Sequence, residues 1–159
     1  MFCSVQEVLS IILSYYQTYS RGNINDTFVE AIIVDAEELV KSRLQESYDL
    51  DVILSDYLVS GLSSDLPPLV KQACRYQAAS LMVERDPSVE PEAGKALQLL
   101  ILPNLNRIYS KFRNGSLLDA NGYEIAPASR SLARIDTPSY AISMNENIFP
   151  SSGDKRYVY

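Results

Sequence analysis

The stretch LPPLVKQACRYQAASLMVERDP, Leu66 to Pro87, carries a helix together with its own start and stop. Proline in a first turn forfeits no intrahelical bond and arrives with a helical φ, so Pro67-Pro68 opens the element. Leu69, Val70, Ala73, Cys74, Gln77, Leu81 and Met82 recur at helical spacing along one face. Many of these side chains are small, which permits close helix approach and predicts a position at the centre of a bundle. Arg85-Asp86-Pro87 closes the helix, because proline disfavours helical backbone in the residue before it.

Outward from that helix the same grammar repeats. Ser4-Val5-Gln6-Glu7 has the form of a capping box and starts a first helix. Its apolar stripe is Val5, Val8, Leu9, Ile12 and Leu13, with Tyr15, Tyr16 and Tyr19 near its end, before Arg21-Gly22-Asn23 breaks it. Asn25 or Asp26 caps a second helix whose inward face is Phe28, Ile32, Ala36, Leu39, Val40 and Leu44. Glu30, Glu37, Lys41 and Arg43 decorate its other faces, and Glu37 and Lys41 form a favourable i, i+4 pair. Tyr48 to Asp65 loses the helical period and reads as a loop with at most a short helical turn or strand. Acidic residues at Glu90 to Glu92 suit the start of a last helix. It runs through Leu97, Leu100, Ile101, Leu105, Ile108, Tyr109 and Phe112 to Asn114-Gly115, and Pro103 is expected to kink or split it. Leu117-Leu118, Asp119-Ala120-Asn121-Gly122 and Tyr123-Glu124-Ile125 read as two short strands around a turn.

The expected fold is mainly α: a small four-helix bundle-like body over 1–114, then a short β-hairpin and a long extended C-terminal arm over 115–159. The arm is broken by Pro127, Pro138 and Pro150, and it is rich in aromatic residues. Tyr123, Tyr140, Ile142, Ile148, Phe149, Tyr157 and Tyr159 are its candidate interface residues. Either they fold back on the body as satellite core, or they fill pockets on another chain, where Tyr and Phe are efficient anchors.

Composition narrows the function. The 159 residues carry a net charge of −6, of which the body's ten basic and fifteen acidic residues supply −5. Phosphate neutralisation needs clustered Lys and Arg, so the chain is not expected to grip nucleic acid. The absence of histidine removes the commonest general base and metal ligand. Cys3 and Cys74 are expected to be free thiols in a reducing cytoplasm. Met1 to Tyr19 lacks the basic n-region and cleavage site of a signal peptide, and its apolar residues are too interrupted to span a bilayer.

Candidate reactive groups are few. Asp49, Asp51 and Asp56 are carboxylates close in sequence, but such aspartates in a loop are ordinarily solvated, and a hard cation needs many converging oxygens. Asp119-Ala120-Asn121-Gly122 resembles the opening of a calcium loop, yet its glycine comes two positions early and no closing bidentate Glu follows. Asp35, Glu37 and Glu38 fall on different faces of a helix. No nucleophile elbow, phosphate loop or Cys/His pair is present. No catalytic, cofactor-binding or metal-binding residue is expected.

Two local sequences resemble a known family, the head-tail connector (adaptor, or head-completion) proteins of tailed bacteriophages. Val34-Asp35-Ala36-Glu37-Glu38-Leu39, continuing to Leu44, is similar to that family's xxxAxxxL helix. Pro67 to Ala79 is similar to its P-x-x-[VI]-x-x-A-x-x-x-x-A helix, and the resemblance covers about Asn25 to Gly122. It implies a non-enzymatic virion protein of the neck, assembled in the host cytoplasm as a dodecameric homo-oligomeric ring. Such a ring docks beneath the portal protein and joins capsid to tail, contacting a tail terminator, stopper or tail tube protein. DNA passes through its channel without specific binding, and no membrane is involved. Two other readings stay open: another neck or tail-completion protein, and a small helical protein-binding or regulatory module. A ring needs exposed apolar helix faces on two sides of the subunit, for which Ile32 and Ile33, or Leu99 to Leu102, are candidates.

Overall fold

In the computed structural model, which describes residues 1–16, 25–87, 89–115 and 117–128, the capping box forms as the sequence predicts. Ser4 Oγ accepts from the Glu7 N–H, and the Glu7 carboxylate returns to the Ser4 N–H at 2.8 Å. Helix α1 follows over Val5–Tyr15. Asn25 caps α2, Asp26–Gln45, by accepting from the Phe28 N–H. The central helix α5, Pro68–Arg85, starts on its proline and ends at Asp86; the last, α6, is Pro91–Arg113. Between α2 and α5 lie two short helices, α3 (Leu50–Ile53) and α4 (Ser55–Ser60), and a 3₁₀ turn at Ser63–Asp65. Strands β1 (Leu117–Leu118) and β2 (Glu124–Ile125) pair antiparallel, Leu117 with Ile125 and Leu118 with Glu124. The chain is mainly helical with one small hairpin.

Helix α5 packs against α2, α6 and α1, and nine of its eighteen residues are buried. Surrounded in this way, it has little surface left for water, which explains why small residues sit all round it. Ala73, Cys74, Ala78 and Ala79 are fully buried, so the neighbouring helices can approach closely.

Several expectations are corrected. The stripe of α2 that faces the core is Val29, Ile32, Ile33, Ala36, Val40 and Leu44, while Phe28 and Leu39 are exposed. The helix carries two adjoining apolar stripes, and α5 selects one of them. In α1, Ile11 is buried where Leu13 was expected, and Leu13 faces water. Glu37 does not decorate a wet face. It is 9% exposed and accepts the Phe2 N–H, leaving Lys41 to pair with Glu38 at 2.8 Å instead. The stretch from Tyr48 to Asp65 is largely helical, each piece too short to show a period. Asp49 caps α3 by accepting from the Asp51 N–H. Gly61 ends α4 in the left-handed conformation at φ 69°.

Pro103 does not split α6, which runs unbroken from Pro91 to Arg113. The ring lies on the exposed side, where water can satisfy the carbonyl that loses its donor. Asn104, next to it, donates to the Leu100 carbonyl and to the Tyr15 hydroxyl, tying α6 to α1. The hairpin, placed with the arm on the far side of residue 114, packs into the body. Leu117 is fully buried in the common core, Pro127 lies over Gly115, and the Ala128 N–H donates to the Ser47 carbonyl. Met1–Ala128 is accordingly one compact unit.

Tyr109 gives this packing a measurable signature. Its hydroxyl donates to Gln77 Oε1 at 2.8 Å, bridging α6 to α5. Burial pushes its pKa up to about 12, against the opposing pull of Arg43. An unfolded tyrosine ionises near pH 10, so at higher pH the unfolded chain releases a proton that the folded one retains. The stabilisation from the neutral ring is complete below about pH 10 and is lost as pH climbs toward 12. Tyr109→Phe should cost about 1 kcal/mol near neutrality, from the lost hydrogen bond, and should flatten this part of the alkaline decline. Urea unfolding across the alkaline range reads both effects.

Candidate functional site

The features that the core leaves unexplained are apolar and exposed. Helix α6 turns Ile101 fully inward and so presents Leu99, Leu100 and Leu102 to solvent, with Leu99 73% exposed. Leu99 and Leu102 form one wall of a groove of about 570 Å³. Its other walls come from the end of α5, the connection that follows and the start of α6, through Val83, Val89, Pro91 and Gly94. Glu84, Glu90, Lys95 and Gln98 rim it. The groove exists because Asp86-Pro87 ends α5 abruptly and Pro91 restarts the chain as α6, leaving a concave junction.

A second exposed apolar cluster lies on α4 and its flanks. Val59 is 91% exposed, and Leu58, Leu62 and Val52 are exposed as well. Tyr57 holds α4 to the body: its ring meets Phe2 edge-on with centroids 5.2 Å apart. Apart from Tyr57, α4 turns its large apolar residues, Leu58 and Val59, to water, so these two do nothing for this subunit's core. Contiguous exposed apolar patches are a feature of protein contact surfaces.

Of the two candidate pairs for such faces, Leu99 to Leu102 is exposed apart from Ile101, whereas Ile32 and Ile33 are both buried and unavailable. The α4 cluster was not legible, because its segment has no helical period and exposure is a property of what fails to pack on it. Of the arm residues, Tyr123 sits beside the hairpin turn, 73% exposed. Tyr140, Ile142, Ile148, Phe149, Tyr157 and Tyr159 lie outside the described residues.

Carboxylates that the sequence grouped together find separate partners. Asp35 pairs with Arg85, and Asp56 accepts from Ser55 Oγ at 3.4 Å. Asp119 accepts from the N–H groups of Asn121 and Tyr123, at 2.9 and 2.7 Å, which makes this segment a turn, with Gly122 at φ 88°. Among the described residues no three metal-ligating side chains converge, and no helix is long and apolar enough to cross a membrane. Glu7 lies 3.1 Å from Lys71, joining α1 to α5. Burial raises the Glu7 pKa, but the Ser4 N–H and Lys71 outweigh it and hold the carboxyl below its usual range.

Comparison with protein-family models, curated proteins and solved structures gives no match for the chain.

Proposed function

We propose that this chain is a virion structural protein, a head-to-tail adaptor whose copies form a ring beneath the portal, extend the DNA channel and join capsid to tail. The observation that carries this reading is the pair of exposed apolar clusters on different elements, one a concave groove beside α6 and the other borne by α4. A head-to-tail contact joins two different patches of the same subunit, which these two clusters would supply, and it closes into a ring when its rotation permits. The resemblance of the α2 and α5 sequences to connector helices points the same way. An acidic body suits a channel through which DNA slides, since like charge lowers sticking.

The ring is non-enzymatic in this reading and takes no cofactor. Its neighbours are the portal protein on one side and a tail terminator, stopper or tail tube protein on the other. Native mass measurement of the full chain, alone and mixed with portal rings, tests it. Closed oligomers or portal-bound copies are expected, and a persistent monomer that also ignores portal rings overturns it.

The arm beyond the body serves as the fastening element, through Tyr140, Ile142, Ile148, Phe149, Tyr157 and Tyr159. Ending the chain after Ala128 keeps Leu117, Pro127 and the Ala128 to Ser47 hydrogen bond. The shortened protein should therefore keep its helical circular dichroism and melt within a few degrees of the full chain, while losing co-assembly with its partner. Unfolding on truncation would instead assign the arm to the subunit's own core.

A further inference from the structure

We propose that Cys3 and Cys74 are a disulfide-forming pair that, once oxidised, fastens the segment ahead of α1 to the central helix. The two Sγ atoms lie 3.5 Å apart, although the residues are 71 positions apart in sequence. A disulfide needs about 2.05 Å, so side-chain rotation with a small backbone adjustment closes the bond. Both thiols are free and buried.

The segment is held so that the thiols face each other. Phe2 is buried with its ring against Tyr57, and its N–H donates to Glu37, which sets the next residue, Cys3, against α5. Cys74 is fixed in the middle of α5 and fully covered. Two thiols kept adjacent by the fold have a far higher effective concentration for each other than for a thiol on another molecule, so the intramolecular bond is favoured.

The docked pair is protected. The hydrogen bond with Cys3, followed by burial, pushes the Cys74 thiol up, and the Glu37 charge adds to this. Cys3 lies outside any regular element, so residues 1–3 can lift while Ser4 keeps its cap on α1. A small-molecule disulfide such as oxidised glutathione then supplies the oxidant. The Cys3 thiolate attacks one of its sulfurs, releasing one glutathione thiolate and leaving a mixed disulfide. Before the segment redocks, Cys74, uncovered by its departure, gives up its proton to water, and its thiolate attacks the Cys3 sulfur, releasing the second glutathione. Two protein thiols are oxidised and one small disulfide is reduced to two thiols.

The test uses the full chain incubated with oxidised glutathione, then denatured and alkylated. The expected product has no alkylatable thiol, a mass lower by two hydrogens and a Cys3–Cys74 cross-linked peptide on a non-reducing map. Linking residues so far apart should raise the melting temperature by ~10 °C, reversibly on adding dithiothreitol. In Cys74→Ala the reaction should stop at a single glutathione on Cys3. The proposal is overturned if both wild-type thiols survive or each retains glutathione, if the bond forms between two chains, or if the linked protein melts lower than the reduced one. It stands or falls independently of the adaptor reading.

Discussion

Val59→Asp and Leu99→Asp, each made alone, should abolish ring assembly while leaving the subunit folded. Both side chains are in water in the isolated subunit, 91% and 73% exposed, so replacing them changes its stability by no more than about 0.5 kcal/mol. In the proposed ring either position would be covered by a neighbour, and an unpaired carboxylate taken out of water costs several kcal/mol. Association should weaken at least ~100-fold, because about 1.4 kcal/mol is tenfold. Sedimentation and circular dichroism together read the result: monomeric and normally helical. If both variants assemble like wild type, neither cluster lies in the interface. Carboxylates flank both clusters, Glu84 and Glu90 around the groove and Asp56 and Asp65 near α4. Salt screens their mutual repulsion, so raised ionic strength should strengthen the wild-type contact rather than weaken it.

Phe2→Ala should lower the unfolding free energy by about 3–5 kcal/mol, the range for deleting a buried aromatic side chain. Phe2 is 1% exposed; its ring meets Tyr57 edge-on, and the Lys41 ammonium stands 5.5 Å above its centroid. The segment ahead of α1, α2 and α4 share this ring, so no single element can collapse into the space it leaves. The midpoint of urea unfolding should fall with the slope unchanged. A change below about 1 kcal/mol would mean that the segment is not docked in solution. Because Tyr57 leans on the same ring, α4 should also lose its fixed position, and assembly should weaken along with stability. In a double-mutant cycle with Tyr57→Ala, the aromatic coupling should be about 0.5–1.5 kcal/mol.

The parts of this molecule that were legible are those whose physics is local. A capping box at Ser4 and Glu7, an N-cap at Asn25, proline starts at Pro68 and Pro91, and a turn at Asp119 to Gly122 each involve groups within a few residues. Pro103 misled because its cost depends on whether the ring faces core or water, and in α6 it faces water. Exposure misled for the same reason: Ile32 and Ile33 read as surplus apolar residues, but both are buried in the core.

By itself the sequence determined a helical body, the order of its four long helices, the hairpin, and an acidic chain without histidine; the end of α1, expected at Arg21-Gly22-Asn23, comes instead at Tyr15. Only the tertiary structure decided which of two adjoining stripes on α2 faces inward, why Glu37 leaves Lys41 for the Phe2 N–H, and that Cys3 meets Cys74. It also decided that α4 and Leu99 remain in water. Caps and turns are settled by neighbours along the chain, whereas burial is settled by whatever another element brings to the same place.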